Sequence, residues 1–520
     1  MTKVFAIPEM HSGSDCSAYK WLKMLGLGDY WQGVAIRMCL DNRPSYVRSL
    51  VIVALALMGA TSTGCAANSQ YCQSDRSCVS CNLVSRFGQA VGDAECPREI
   101  VYPNGISLER EIAEEEAVVL ALWNNAAFLE LLADLGMAQG DLVQAGLLPN
   151  PEVLYFFPVS DKPFKYVLDF PLESLWLRPI RVAAAEREYD RVCQRLTQAG
   201  IDLIRDTRQA YADVILAHGR KQVASDAVEV RRRIAKVAQT RLEAGDISPQ
   251  EAATALIDAS KAEQDLVRVG YDIGIAEEKL RNLMGVPTDR APLRVPLQPL
   301  SFPSELDADQ LVLEAEMSRP DALAAQEFAA AAAERLRLSR IGWVRFLGIA
   351  DSTSGRTDGH RLGPAFRATL PLFNWNQGGI ARAEAELEKA ERQRQTVNNQ
   401  IALDVHQAHL RFAQNQAELA VLDLRVRPQV ESAIRQTEVA YREGNTPYVI
   451  VLQTTQQLID SRYREVQLQA DIRRAWAELE RSVGRHLDEV RPRGQAAPST
   501  SENPPSDPQD ASDGQSSPQS

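Results

Sequence analysis

Cys72, Cys78, Cys81 and Cys96 crowd one short stretch near the N-terminal end. Thiols at such spacing can bond one another or hold a metal. As disulfides, four cysteines allow three connectivities. Cys78-x-x-Cys81 could also supply half of a zinc site, although no second Cys-x-x-Cys or matching histidine pair follows. Cys193 stands by itself in a helical segment and is expected to be a packing residue. His406-x-x-His409 would share one face of a helix, but without a nearby carboxylate the pair is expected to decorate a surface or a lumen rather than bind metal. His218 and His360 have no visible partners. The sequence has no Walker loop, no Gly-x-Ser-x-Gly and no His-Glu-x-x-His. No enzyme, cofactor or metal centre is expected.

A sixth cysteine carries a different chemistry. Arg43 and Arg48 precede the apolar run Leu50–Ala60, which ends in the small residues TSTG and then Cys65. The run is too short to cross a bilayer but has the length of a secretory h-region. Its end resembles a bacterial lipoprotein signal, in which the cysteine is lipidated and becomes the first mature residue, so Cys65 is the expected lipidation site. Ser62 stands where that pattern usually has leucine, and ordinary cleavage nearby is the alternative. Residues 1–37 resemble no targeting element, which makes Met38 the expected start of the signal region, 1–64. The formal charge of -12 over 520 residues argues against nucleic acid as a partner.

The elements that position these residues come from a duplication. Gly245 in RLEAGDISPQ and Gly444 in AYREGNTPYV lie 199 residues apart. So do Leu280 and Leu479, and the closing glycines Gly285 and Gly484. Pro171-Leu172 recurs as Pro371-Leu372, and Glu186 and Glu188 recur as Glu386 and Glu388, with an offset of 200. The chain therefore divides into a cysteine-containing segment (65–106), a first repeat (107–285), a proline-rich connector (286–304), a second repeat (305–487) and a tail (488–520). The tail is rich in Pro, Ser, Asp and Gln and is expected to be disordered.

Each repeat reads strand, strand, long helix, turn, long helix. In the second, a helix from about Gln377 to Arg442 would be roughly 100 Å long, kinked but not ended at Pro428. The returning helices carry Leu266, Val269, Ile273, Ala276, Leu280 and Leu283, then Ile472, Trp476, Leu479 and Val483, at coiled-coil spacing. The strands are expected at about 152–172 and 342–373. Phe164, Tyr166, Leu168 and Phe170 alternate with Lys165, Val167 and Asp169, and Phe366, Ala368 and Leu370 with Arg367 and Thr369. EVLYFFPV and GWVRFLGI, the latter from Gly342, would be their partner strands. An apolar face opposite a polar one fits a membrane β-barrel. Four strands cannot close one, so several chains must share it.

In this order, ISLEREIAEEEAVVLALWNNAAF, GLLPNPEV, RLEAGDIS, RPDALAAQ, ATLPLFNWNQGGIARAEAELEKA and AYREGNTPYVIVLQTTQQLID resemble the TolC-like outer-membrane efflux proteins over about residues 107–487. PLFNWNQG and LLPNPEV look most like the heavy-metal, CzcC-like branch. The resemblance implies a mainly α protein with a membrane β-barrel portion. It would be a homotrimer whose 12-stranded barrel continues into a periplasmic α-helical coiled-coil barrel. Such a protein sits in the outer membrane in contact with lipid. It conducts substrate passively from an inner-membrane pump, of RND type, through a periplasmic adaptor. A non-pore periplasmic adaptor or scaffold lipoprotein is the alternative, but it would carry one hairpin rather than two.

By position, the turns at 243–249 and 442–448 would be the adaptor-facing tips, with Glu243, Gly245, Asp246, Glu443, Gly444 and Asn445. Tyr441 would be a gate aromatic or a packing residue. The family's acidic gate positions hold Ile450 and Gln453, and the first repeat offers Glu251 instead. Pro171, Pro371, Gly378 and Gly379 would mark the barrel-to-tunnel junction. Pro371 would end the fourth strand, Asn374 or Asn376 would cap the helix, and the two glycines would let chains pass closely.

Overall fold

The computed structural model describes residues 76–92, 100–156, 165–289, 293–296, 302, 306–343, 346–355, 359–368 and 372–487. Cys65, Cys72, Cys96, Phe164, Thr369, Leu370, Pro371 and the whole 488–520 tail lie outside them.

The cysteine-containing segment forms α1 (Ser77–Phe87), and the first repeat runs through α2 (Glu114–Asn124), α3 (Ala126–Gly146), β1 (Glu152–Phe156), β2 (Lys165–Pro171), α4 (Glu173–Glu243) and α5 (Pro249–Leu283). The second runs through α6 (Ala308–Ser318), α7 (Pro320–Ile341), β3 (Phe346–Gly355), β4 (Gly359–Ala368), α8 (Gln377–Val421), α9 (Arg427–Arg442) and α10 (Tyr448–Val483). The expected unit therefore appears twice, each time preceded by a pair of shorter helices. The connector does more than link. Arg294 forms a parallel β-bridge with Glu111, and the Ile112 amide donates to the Arg294 carbonyl at 2.9 Å.

The glycines of the duplication adopt matching conformations. Gly245 and Gly444 both have φ of 81°, and Gly285 and Gly484 have φ of 72° and 85°. At the two tips the bonding is the same. Gly245 donates to the Leu242 carbonyl and Asp246 to Arg241, while Gly444 donates to Tyr441 and Asn445 to Ala440. Each is a helix stop in which a left-handed glycine turns the chain and satisfies the last carbonyls.

α4 has 71 residues, about 105 Å at 1.5 Å per residue. Its counterpart is helical from Gln377 through Arg442 but contains a π-helical turn at Leu422–Val426, where the Arg427 amide bonds the Leu422 carbonyl five residues back. Pro428 follows at once. Proline offers no N–H and crowds the carbonyl four residues before it. Widening the preceding turn relieves that crowding, so the helix continues, as expected of Pro428.

Contacts arrange the long helices in the order α5, α4, α10, then α8 and α9. The expected seam of α5 faces α4, with Val269, Ile273 and Leu280 buried and Leu266, Ala276 and Leu283 half-buried. In α10, Ile472, Trp476, Leu479 and Val483 are all buried, with Trp476 packed on Phe412 of α8 and on Phe302. Between α4 and α10 the seam is polar and periodic. Arg231 donates to Gln456 at 2.7 Å, and Gln456 donates to Asp460. Eleven residues along both helices, Arg220 donates to Gln467 and Gln467 to Asp471. A repeat of 11 keeps two helices in step without a left-handed supercoil. Gly219 lies at this crossing. A β-carbon there would meet Val466 Cγ1 at 2.4 Å.

The four strands form one antiparallel sheet in the order β1-β2-β3-β4. Directly paired residues share a face. One face therefore gathers Val153, Tyr155, Tyr166, Leu168, Phe170, Ala350 and Phe366, while Lys165, Asp169, Asp351 and Arg367 lie on the other. The expected alternation holds for every described strand residue named above. β3 begins at Phe346 rather than at Gly342, because Gly342 still caps α7 through its amide to Leu338. Among the described residues no single helix is long and apolar enough to cross a membrane.

Cys193 is not a lone packing residue. It forms a disulfide with Cys78 across 115 residues of chain, and Cys81 is free and exposed. The same bond removes Cys78 from the candidate zinc half-site and from any pairing with Cys72 or Cys96. Residue 193 is helical, within α4, but nothing local in the sequence reveals a partner on α1. α1 lies on α4 with Val79, Leu83 and Phe87 buried, and Leu83 occupies the space that a β-carbon on Gly200 would need. Arg86 reaches the other repeat, donating to the Gly484 carbonyl, while the His486 amide donates to the Arg86 carbonyl.

Candidate functional site

The two tips come together as one polar and aromatic cluster. Glu243, Gly245, Asp246, Glu443, Gly444 and Asn445 are all exposed. Behind them Tyr441 is only 2% exposed, so it lies inside the protomer. Arg241, at the end of α4, spans the two turns. Its guanidinium lies over the Tyr441 ring, 4.8 Å from the centroid, and donates to the Tyr441 carbonyl at 3.2 Å. The Tyr441 hydroxyl finds no hydrogen-bond partner. Burial and the Glu251 carboxylate both push its pKa up. Glu251 sits in the first turn of α5, where its amide donates to the Ser248 Oγ cap at 3.2 Å.

One turn above, Tyr448 locks the hairpins to each other. Its hydroxyl donates to Asp258 Oδ2 at 2.9 Å, joining α10 to α5. Asp258 is buried, and its backbone carbonyl accepts from Arg231 of α4. Burial first, and then Asp258, push the Tyr448 hydroxyl well above its ordinary value of 10.0. Arg231, Asp258, Lys261, Gln453 and Gln456 line an open groove beside this lock. Arg231, Arg241, Asp258 and Tyr448 were not singled out from sequence. Their partners lie on other helices at long separation, and no local pattern carries that information.

The sheet-to-helix junctions differ between the repeats. In the first, Pro171 is the last residue of β2, and its carbonyl accepts from Ser174 Oγ at 2.6 Å. The Leu172 amide donates to the Phe346 carbonyl, so the chain leaves the sheet while still tied to β3. In the second, Asn376 is the helix N-cap by position but not by side chain. It holds φ of 63°, and it is the one non-glycine at positive φ among the described residues. Its side-chain amide donates to the Ser339 carbonyl of α7, while the Asn374 side chain accepts from the Asn376 backbone. The expected side-chain cap by Asn374 or Asn376 is therefore replaced by a left-handed turn. Within the chain the two glycines beyond it have different surroundings. Gly378 has open space, and a β-carbon on Gly379 would strike the Asn376 side chain at 2.3 Å. Leu372, Phe373 and Trp375 stand exposed beside this turn, with Trp375 against Trp343.

A third cluster ties the ends of the two repeats. Arg208 of α4 is buried against Glu480 of α10 and also bonds Glu115 at 2.6 Å. Burial, opposed in part by Arg208 and Arg473, raises the pKa of Glu114 beside it. Among the described residues no three His, Cys, Asp or Glu side chains gather to hold a metal. His409 instead meets the Leu306 carbonyl at 3.2 Å.

Residues 168–286 and 310–485, more than half of the chain, match the outer membrane efflux protein family. The cobalt-zinc-cadmium resistance protein CzcC of Cupriavidus metallidurans is 26% identical over 408 residues, covering 75% of this chain and 92% of that protein. The crystal structure of the outer membrane protein VceC from Vibrio cholerae superposes with a TM-score of 0.63 at 19% identity, over 71% of this chain and 96% of that one. The open state of the Neisseria gonorrhoeae MtrE outer membrane channel gives 0.60 at 16% identity, over 76% and 96%.

Proposed function

The chain belongs to the outer membrane efflux protein family, and from that premise we propose that it is the exit duct through which an export system discharges divalent heavy-metal cations. The general part is the family's. It is an outer-membrane channel, a homotrimer that takes its substrate from a periplasmic adaptor and an inner-membrane pump. One observation carries the duct. In the first repeat β2 hands directly to α4, Pro171 to Glu173, and α4 runs unbroken to the glycine turn at the tip, while in the second the chain is helical from Gln377 through Arg442 to the matching glycine turn. The charged side chains Lys165, Asp169, Asp351 and Arg367 all lie on one face of the sheet, where Val167 and Ile349 join them, and the opposite face gathers the aromatic residues Tyr155, Tyr166, Phe170 and Phe366, an asymmetry that suits a wall between lipid and water. The cargo class rests on the similarity to the cobalt-zinc-cadmium resistance protein.

Finer roles complete the proposal. Cys65 carries the lipid, and the Cys78–Cys193 disulfide suits an oxidising compartment outside the cytoplasm. The exposed turn residues at Gly245 and Gly444 meet the adaptor, and the Arg241, Tyr441, Asp258 and Tyr448 cluster holds the tips closed, with Glu251 at its edge. The junction at Pro171, Pro371, Gly378 and Gly379 marks where the membrane ends, with Leu372, Phe373 and Trp375 against the lipid. The duct does no chemistry on its cargo, and the pump supplies the energy.

Two measurements test this reading. Protein extracted from outer membranes is expected to be trimeric in detergent and to conduct ions across a planar bilayer. A soluble, non-conducting protein would overturn the duct and favour the adaptor or scaffold. A strain lacking the gene is expected to become sensitive to cobalt, zinc and cadmium. Unchanged metal resistance with new sensitivity to organic compounds would overturn the cargo.

A further inference from the structure

Cys81 lies three residues after Cys78 on α1, so the two side chains are neighbours on one helix face. Cys78 is already bonded to Cys193 of α4, and Cys81 is a free, exposed thiol. Residues three apart on a helix have α-carbons within the span that a disulfide can bridge. α1 begins at Ser77, so Cys78 occupies the first turn, which is the part of a helix most easily adjusted because its amides lack intrahelical partners. The other sulfur is prepared as well. The Asn82 side-chain amide donates toward Cys193 Sγ at 3.7 Å and toward Thr197 Oγ1 at 3.4 Å. A donor aimed at one sulfur of a disulfide favours that sulfur as the departing thiolate.

We propose that Cys78, Cys81 and Cys193 form an internal thiol–disulfide exchange switch. The Cys81 thiolate attacks Cys78 Sγ, a Cys78–Cys81 bond forms, and the Cys78–Cys193 bond breaks. Cys193 leaves as a thiolate beside Asn82 and takes up, through water, the proton that Cys81 released. The number of disulfides is unchanged, and no external oxidant or reductant is consumed. Exchange removes the covalent tie between α1 and α4. α1 also grips the end of the second repeat through Arg86 and Gly484, so the switch loosens the clasp that holds the N-terminal segment to both repeats.

The test uses the full-length protein and peptide mapping by mass spectrometry. Protein is held at mildly acidic or alkaline pH, quenched in acid and labelled at its free thiols. Trypsin isolates Cys78 and Cys81 together on Ser77–Arg86, and Cys193 on Val192–Arg195. At the start the two peptides are expected to be joined, with Cys81 labelled. At alkaline pH an internally bonded Ser77–Arg86 should accumulate, with equal appearance of label on Cys193, faster than at acidic pH because only the thiolate attacks. C81S should leave Cys193 protected, and N82A should slow its release several-fold. C193S, treated with diamide as the oxidant, should form the Cys78–Cys81 bond, and its absence would show that α1 cannot accommodate it. The switch is overturned if Cys193 stays protected in the wild type at every pH, if it is released equally in C81S, or if Cys81 is found bonded to Cys72 or Cys96.

Discussion

The tip lock depends on a proton. In Tyr448 the protonated hydroxyl is the bonded form, and burial and Asp258 raise its folded pKa above the ordinary 10.0. A group whose pKa is raised on folding contributes fully below the unfolded value and loses that contribution as pH rises through the folded one. The lock should therefore hold at neutral pH and fail only in strong alkali, where conductance should rise. Tyr448→Phe should open the tips at neutral pH, raising single-channel conductance several-fold. It removes the hydroxyl from the buried Asp258 carboxylate, which keeps Lys261 at 3.8 Å, at a cost of about 1–3 kcal/mol. Unchanged conductance in this variant would place the constriction elsewhere. The disulfide belongs to the same scale. Cys193→Ser should lower stability by about 2–4 kcal/mol, read as a fall in Tm that a reductant no longer deepens. Neither contact was legible in the sequence. Asp258 and Tyr448 are 190 residues apart, and periodicity reports which way a side chain faces on its own helix but not what meets it there.

The elements were far more legible, because their causes are local. Helical periodicity, two Leu-x-x-x-x-Gly closures and a constant offset sufficed to place both hairpins, and the left-handed glycines realise that offset in matching backbone angles. What stayed hidden was how each glycine is used. Gly245 and Gly285 both hold positive φ, but a β-carbon on Gly245 meets nothing, while one on Gly285 would lie 2.2 Å from the Asn124 carbonyl oxygen. Gly245→Ala should thus cost only the left-handed backbone penalty, about 1–2 kcal/mol. Gly285→Ala should cost clearly more, because a carbonyl fixed in α2 cannot swing aside, and should sharply reduce folded protein. The same contrast applies where φ is ordinary. Gly219→Ala should destabilise by forcing α4 from Val466, whereas Gly270→Ala, with nothing within 4 Å, should stabilise by up to about 1 kcal/mol of helix propensity. Thermal unfolding of the four variants in one detergent ranks them directly.

The assembly follows from what the outer elements leave uncovered. α5 and the α8–α9 run lie at opposite ends of the helix order. On α5, Leu256, Val267, Tyr271 and Ile275 are between 64% and 75% exposed, apart from Val267 at 63%. At 100° per residue this stripe falls on the side of the helix opposite the seam with α4. On the other flank, Leu403, Leu410, Val421 and Leu424 are exposed, opposite the face on which Ile401, Val405, Ala408 and Phe412 are buried. The sheet has the same polarity, with β1 of the first repeat at one edge and β4 of the second at the other. Two unlike flanks make a heterologous contact, which must close into a ring or run on as a filament. Edge pairing of β1 with the next copy's β4 is what lipid demands, since unpaired backbone groups in hydrocarbon cost several kcal/mol each. Three copies then give 12 strands, the number the family resemblance implies. A double charge on one flank, Tyr271→Glu with Ile275→Glu, should convert the trimer to monomer in detergent, seen as a drop to one third in mass by light scattering, and abolish bilayer conductance. Adding Leu403→Arg with Leu410→Arg on the facing flank should restore part of the trimer, because the two stripes meet only between copies. A trimer untouched by the first pair would mean that α5 faces water, and that the ring closes through other residues.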